Sequence, residues 1–121
     1  MDRDALGLYG EDVAARHLAS RGFRILERRW RTSHGEIDLV AEERGEIVFV
    51  EVKTRRGWTY GLPEEAVTRR KRDQLRALSA AYLAAKGLAG RRFRIDIVAV
   101  TAPPDGQPRL AHFRSAVGEA D

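Results

Sequence analysis

Two apolar segments joined by a tight turn constrain this chain more than any other feature. The first reads Gly-Glu-Ile-Asp-Leu-Val-Ala at 35–41, and the second reads Val-Phe-Val-Glu-Val-Lys at 48–53. Short runs rich in Ile, Val and Phe are typical of β-strands. The Glu-Arg-Gly-Glu sequence between them is typical of a hairpin turn, because Gly45 readily adopts a positive φ. We therefore predict an antiparallel hairpin that turns at Arg44-Gly45.

The turn also predicts the register of this hairpin. With a two-residue turn, Asp38 faces Glu51 across the two strands, and Glu36 faces Lys53. Since alternate residues of a strand share a face, the charged side chains lie on one face together. The other face collects three apolar pairs, which are Ile37 with Val52, Leu39 with Val50, and Ala41 with Val48.

The facing carboxylates of Asp38 and Glu51 indicate a cation site, because two carboxylates repel unless a cation or a proton lies between them. Mg²⁺, with Mn²⁺ as a substitute, fits because it prefers oxygen ligands and keeps water and phosphate in its shell. Lys53 follows on the same face and is placed to orient a water or balance charge on phosphorus. This set suits hydrolysis of a phosphodiester bond. A structural ion network, with Glu36 paired to Lys53 and Asp38 paired to a nearby arginine, is the alternative that the spacing leaves open.

The flanking segments predict an α/β fold with a mixed central sheet flanked by helices. Besides the hairpin, the expected elements are a helix near 4–20, a strand near 23–32, a long helix near 64–86, a strand near 93–100 and a short strand near 110–113. The strand after the long helix is expected to pair in parallel through a crossover. We expect one domain over 1–121, with its core at about 4–114 and a polar C-terminal tail.

Glu11 lies on the apolar stripe of the first predicted helix, where a charge is out of place unless it is paired. We expect this glutamate either to join Asp38 and Glu51 as a metal ligand or to lie at the edge of the stripe.

Other residues are candidates for contact with nucleic acid. The chain carries a net charge of +4, which indicates either an anionic partner or, since 19 of its 22 basic residues are arginine, a GC-rich genome. Five residues near the hairpin are expected to bind phosphate or stack on a base, namely Arg55, Arg56, Trp58, Tyr60 and His34. Glu36 and Gln74 are secondary candidates for the site, and the basic run at 69–76 is interpreted as a solvated helix face.

The two strand motifs, with Glu11 in the opening helix, resemble the bacterial YraN-like family of restriction-endonuclease-like proteins, close in shape to archaeal Holliday-junction resolvases. The resemblance extends from about Tyr9 to Val100. It implies a single restriction-endonuclease-like domain that cleaves branched, single-stranded or damaged DNA as a Mg²⁺-dependent endonuclease. A non-catalytic nucleic-acid-binding or accessory protein of DNA processing is the alternative.

The resemblance also implies roles for individual residues. It places metal-ligating acids at Asp38 and Glu51, the catalytic lysine at Lys53 and a helical glutamate at Glu11. The proline that is common before the first acid is replaced here by Ile37.

Composition excludes several other classes of protein. The chain has no cysteine, which excludes disulfides and thiolate metal sites, and no apolar run approaches the roughly 20 residues that span a bilayer. The acidic second residue argues against a secretory signal. We expect a cytoplasmic protein without a membrane partner, and a homodimer, because duplexes and junctions are two-fold objects.

Overall fold

In the described part of the chain, five strands form one mixed sheet and two helices cover its faces. The computed structural model describes residues 2–56, 67–102 and 106–118. Its elements are α1 (Arg3–Ser20), β1 (Arg24–Thr32), β2 (Gly35–Glu43), β3 (Glu46–Arg56), α2 (Arg69–Ala85), β4 (Phe93–Ala102) and β5 (Arg109–Phe113). The strands lie side by side in chain order. The β3–β4 pair is parallel and the other three pairs are antiparallel, which confirms the predicted fold class and crossover.

Both helices begin at a residue whose side chain caps the first turn. Asp2 accepts a hydrogen bond from the Ala5 N–H at 2.8 Å, and Thr68 Oγ1 accepts one from Lys71 N–H at 3.1 Å. The prediction that the second helix begins near residue 64 is wrong for 67–68, which are not helical, because Thr68 supplies the cap. Residues 57–66 lie outside the described part of the chain. Among the described residues, no helix is long and apolar enough to cross a membrane.

The helices lie on opposite faces of the sheet and divide its core into two layers. The layer that contains the buried face of α1 consists of Val13, Ala14, Ala15, Leu18, Phe23, Leu39, Ala41, Val48, Val50, Val98 and Val100. The layer that contains the buried face of α2 consists of Ile37, Val40, Ile47, Phe49, Leu75, Leu78, Tyr82, Leu83, Ile95 and Val117. Since β2, β3 and β4 contribute to both layers, the centre of the sheet is covered on both faces, which holds side chains at this point out of water.

The hairpin between β2 and β3 has the predicted turn and register. Arg44 and Gly45 both have positive φ, at 51° and 80°, as the favoured two-residue hairpin turn requires. The ladder then runs from Glu43 opposite Glu46 to Leu39 opposite Val50.

The regular pleat of the sheet is interrupted at Asp38, which corrects one predicted pair. Leu39 packs towards α1, but Ile37, two residues away, packs towards α2, whereas residues two apart in a regular strand share a face. Ile37 therefore does not share a face with Val52, which packs towards α1. The neighbouring strand departs from regularity at the same level, because Arg29 has a φ of 57°.

A buried ionic cluster ties β4 to the C-terminal segment. The fully buried carboxylate of Asp96 forms hydrogen bonds with Arg94 at 3.0 Å, His112 Nε2 at 2.8 Å and the Ser115 N–H at 2.9 Å. Burial by itself raises the pKa of Asp96, but these hydrogen bonds, those from His112 and Arg94 foremost, outweigh it and hold the pKa below its ordinary value. The carboxylate is therefore ionised at neutral pH, with its charge satisfied on several sides.

We predict that Asp96→Asn lowers the free energy of unfolding by about 3 kcal/mol at pH 7, because it removes the fully buried charge that pairs with Arg94 and His112. Arg94 then keeps its partners Glu43 and Glu46. The loss shrinks as the pH falls below about 4, where the unfolded wild-type carboxyl is also protonated. Urea denaturation measures the difference. The control is Asp73→Asn, which removes an ion pair whose carboxylate is 61% exposed, and is expected to cost less than about 1 kcal/mol. Equal losses in the two variants would contradict the assigned role.

Candidate metal centre

Asp38 occupies the interruption in β2 and takes over a hydrogen bond of the sheet. The Val52 N–H, which would bond to the backbone of Ile37 if the ladder continued, donates instead to Asp38 Oδ2 at 2.7 Å. The prediction that Asp38 faces Glu51 as a regular ladder pair is therefore wrong, since regular pairing ends at Leu39. The two carboxyl groups nevertheless meet and share a hydrogen bond.

The environment of Asp38 favours its protonated form. Burial is the largest cause, followed by the charge of Glu51, and together they raise the pKa of Asp38 to about 8. The hydrogen bond to Glu51 acts in the same direction, while the bond from Val52 opposes it. Repulsion between the two acids predicts a raised pKa in one of them, and the pKa of Asp38 is raised. Desolvation, however, contributes more to this shift than repulsion does.

Glu51 is buried and is neutralised by two lysines. Its Oε2 atom lies 3.7 Å from Lys53 Nζ and 3.3 Å from Lys71 Nζ. Lys53 extends from the same strand as predicted, but Lys71 was missed, because the basic run of α2 was interpreted as a solvated face. The predicted crossover could have identified Lys71. Because β3 and β4 are parallel, the helix that connects them must begin close to the carboxyl end of β3.

Glu11 and Glu36 join Asp38 in a cluster of three carboxylates. One oxygen from each lies within 4.8 Å of the others. The predicted pair of Glu36 with Lys53 is wrong: Glu36 instead contacts Arg29 at 3.4 Å and Arg31 at 2.7 Å, because its partner strand is β1. Glu36, which the sequence analysis gives only as a secondary candidate for the site, therefore lies in the same cluster as Glu11 and Asp38.

Glu11 is poorly satisfied for a buried carboxylate. It is 8% exposed, and its Oε1 atom is buried without a hydrogen-bond partner. Burial raises the pKa of Glu11, although the guanidinium of Arg29, with its Nε 3.4 Å from Oε1, opposes the shift. An orphaned oxygen of this kind costs free energy unless something binds it.

These residues fit a divalent cation such as Mg²⁺. Mg²⁺ prefers oxygen ligands, and the converging groups of Glu11, Glu36, Asp38 and Glu51 are all carboxylates. A cation there would satisfy the buried oxygen of Glu11 and remove the reason for Asp38 to hold a proton. The donor set fits calcium or manganese as well, so it indicates a class of ion and not one element.

A close approach of α1 to the sheet brings Glu11 to this position. Gly10 lies against Thr54 of β3, where a Cβ atom added to Gly10 would come within 1.8 Å of Thr54 Oγ1. Only glycine allows the helix this distance from β3.

Of the remaining predicted contact residues, those that the structure describes lie at the end of β3 and in the β1–β2 turn. Arg55 and Arg56 are the last residues of β3. His34 lies exposed in the β1–β2 turn, where its carbonyl accepts a hydrogen bond from Gln74 Nε2 at 2.8 Å. Gln74 thus positions the turn next to the site. Trp58 and Tyr60 lie outside the described residues.

Comparisons with known proteins place this chain beside several bacterial sequences. Residues 10–100 match the family described as uncharacterised protein family UPF0102. A UPF0102 protein of Moorella thermoacetica is 52% identical over 92% of this chain and 91% of its own length. One from Rhodococcus jostii is 47% identical over 93% and 95%, and one from Frankia casuarinae 48% over 94% and 97%.

Two solved structures are similar at low sequence identity. A repair endonuclease from Pyrococcus abyssi aligns with a TM-score of 0.43 and 20% identity, over 88% of this chain and 41% of that one. SfsA from Pyrococcus furiosus, solved with Ca²⁺, aligns with a TM-score of 0.43 and 14% identity, over 93% and 64%.

We predict that the stability of the metal-free protein falls as the pH rises from about 4 to about 8, and that Asp38→Asn removes most of this fall. In that window the folded state holds the Asp38 proton, because its pKa is about 8, whereas the unfolded carboxyl has lost it near 3.8. Urea denaturation in a chelator at several pH values measures the effect. Asp12→Asn, which removes an exposed acid paired with Arg28, should retain the wild-type slope. Parallel curves for wild type and Asp38→Asn would refute the assignment.

We also predict that Gly10→Ala pushes α1 away from β3 and weakens divalent-ion binding about tenfold, with the sheet intact. The reason is that a Cβ at Gly10 would overlap Thr54, which can yield only by moving the helix that carries Glu11. Calorimetric titration with Mn²⁺ measures the affinity, and circular dichroism reports the fold. Gly7→Ala is the matched control, since a Cβ there meets no atom within 4 Å and should only favour the helix. Unchanged affinity in Gly10→Ala would show that α1 does not set the site.

Proposed function

The chain belongs to the UPF0102 family, and we propose that it is a metal-dependent hydrolase of phosphodiester bonds in nucleic acid. This is the YraN-like family to which the sequence analysis points. The finer assignment, an endonuclease of branched, single-stranded or damaged DNA in the restriction-endonuclease-like class, is part of the proposal. Its support is that the two acids and the lysine that this class requires lie on β2 and β3 beside α1.

One observation carries the proposal, and it is the combination of unsatisfied carboxylates with a neighbouring lysine. Glu11 has a buried oxygen without a hydrogen-bond partner, and burial next to Glu51 raises the pKa of Asp38. A purely structural network would leave neither, because each costs stability. Lys53 lies at the same place, through its contact with Glu51.

In the proposed site, Asp38, Glu51 and Glu11 hold the ion. Glu11, Glu36 and Asp38 each offer an oxygen within 4.8 Å of the others, and Glu51 adjoins Asp38. Mg²⁺ or Mn²⁺ bound there supplies a Lewis acid that polarises a phosphate and lowers the pKa of a water. Lys53 donates hydrogen bonds towards the water or the phosphoryl oxygens, where negative charge develops. Lys71 shares Glu51 with it and adds positive charge at the start of α2. The apolar layers on both faces exclude bulk water and strengthen these electrostatic interactions.

A second candidate function is a nucleic-acid-binding or accessory protein that does not cut. The observation in its favour is that the protein's own cations already neutralise part of the cluster. Arg29 lies between Glu11 and Glu36, and two lysines contact Glu51. Under this alternative the cluster is an ion network and should ignore divalent ions.

We predict that millimolar Mn²⁺ or Mg²⁺ raises the melting temperature of the wild-type protein by several degrees, because the folded site binds the ion and the unfolded chain does not. Asp38→Asn and Glu51→Gln should abolish this rise and leave the protein folded. Asp12→Asn should keep it, since Asp12 lies on α1 next to Glu11 but faces solvent. The affinity should increase with pH up to about 8, as Asp38 loses its proton. A wild-type protein that ignores both ions, with Asp38→Asn melting lower, would refute the metal site.

Cleavage is tested on labelled single strands, flaps, four-way junctions and duplexes, in DNA and RNA form, with Mg²⁺ or Mn²⁺. Asp38→Asn should be inactive, and Lys53→Met should bind the ion yet lose most activity. A protein that binds the metal and the polynucleotide but cuts nothing would favour the accessory function.

A further inference from the structure

An open groove with a volume of about 500 Å³ lies beside the carboxylates, between the first turns of α1 and the C-terminal half of β1. Its charged lining consists of three arginines, Arg3, Arg29 and Arg31, and two acids, Asp4 and Glu11. Glu11 forms the end of the groove that meets the candidate metal centre. The groove therefore connects a cationic surface directly to the acidic cluster.

The backbone at Arg29 is strained. Its φ of 57° lies in the left-handed region, which costs energy in a residue that is not glycine. Arg29 sits between the ladder pairs Arg28 with Leu39 and Trp30 with Ile37, so it is level with Asp38 in the neighbouring strand. This conformation directs its side chain to the cluster: Arg28 pairs with Asp12 of α1, while Arg29 reaches Glu11 and Glu36.

The contacts of Arg29 with the cluster are long. Its Nε lies 3.4 Å from Glu11 and 3.4 Å from Glu36, and the Glu11 atom concerned has no hydrogen-bond partner. The side chain of Arg29 is 41% exposed and that of Arg31 is 65% exposed, so both face the groove as well as the acids. Arg29 is therefore held loosely enough to exchange partners, whereas Arg31 keeps a short contact of 2.7 Å with Glu36.

We propose that this groove binds the phosphate backbone of a nucleic acid and leads it to the carboxylates, with Arg29 as the contact closest to them. The inference rests on the proposed function and names its substrate track. Guanidinium groups match phosphate oxygens with paired hydrogen bonds. A polyphosphodiester strand suits both ends of the groove, since its phosphates pair with arginine along the way and with a metal ion at Glu11. An acidic peptide would lack the successive phosphates that span these positions.

Arg29 has two partners in this arrangement. Without metal it balances the charge of Glu11 and Glu36. When a divalent ion binds those carboxylates, Arg29 is repelled and is left to pair with a phosphate in the groove. Metal and nucleic acid therefore favour each other's binding, because each removes a competitor of the other.

The test is fluorescence anisotropy of labelled single-stranded and duplex DNA and RNA with the full chain in Ca²⁺, over a range of salt concentrations. The Arg29→Gln/Arg31→Gln double variant should bind at least tenfold more weakly. The slope of its log Kd against log salt concentration should decrease by the amount expected for the loss of about two phosphate contacts. Arg28→Gln is the matched control, because Arg28 is 43% exposed on the same strand but pairs with Asp12 outside the groove. It should match wild type.

A second measurement keeps the outcome independent of folding. Arg29→Gln should bind Mn²⁺ about threefold to tenfold more tightly than wild type in the absence of nucleic acid, because it removes a competing cation. A double variant that binds nucleic acid like wild type would overturn the groove while the proposed function stands. A wild-type protein with neither a Mn²⁺ response nor nucleic-acid binding would overturn both.

Discussion

The burial of adjoining carboxylates at the centre of the sheet is the constraint on which the rest of this structure depends. Asp38 and Glu51 meet where apolar layers cover both faces, and burial raises the pKa of Asp38 to about 8. A chain gains nothing in stability from such a pair, since apolar residues of similar size would pack at lower cost. Three surrounding features hold these acids in place. They are the interruption of β2 at Asp38, the close approach of α1 to β3, and the cations that contact the acids, namely Arg29, Lys53 and Lys71.

The irregular backbone and the acids are one arrangement. Because Asp38 accepts the hydrogen bond of Val52, its carboxylate is anchored to β3 at the point where the ladder ends. The strained φ at Arg29 turns the adjacent strand so that a cation faces the same position. Gly10 lets α1 approach closely enough for Glu11 to complete the cluster. Three local departures from regular geometry thus converge on one site, as is usual where strain is retained for function.

Sequence reasoning succeeds here where the chain's signals are local. The Arg44-Gly45 turn and the alternating apolar residues predict the hairpin register as far as Leu39. It fails at Asp38, because nothing local marks an arginine that adopts a positive φ or a carboxylate that replaces a backbone acceptor. Lys71 was missed because its role depends on how the crossover places α2 against β3. The single-domain boundaries, the homodimer and the roles assigned to Arg55 and Arg56 stay predictions.

The protein's own cations balance the charge of the carboxylate cluster, and this favours a chemical role over a structural role for the proposed metal ion. Where metal holds a small domain together, the ligands are the core, and the fold is lost without the ion. Here the fold has two apolar layers and its own buried ionic cluster at Asp96, remote in the chain from Asp38. The acids, for their part, carry protein counter-ions: Lys53 and Lys71 on Glu51, and Arg29 beside Glu11. In the proposed site, a divalent ion would therefore meet carboxylates that the fold already holds in place, once it displaced Arg29. That is the condition under which binding energy is available for chemistry and is not consumed in folding.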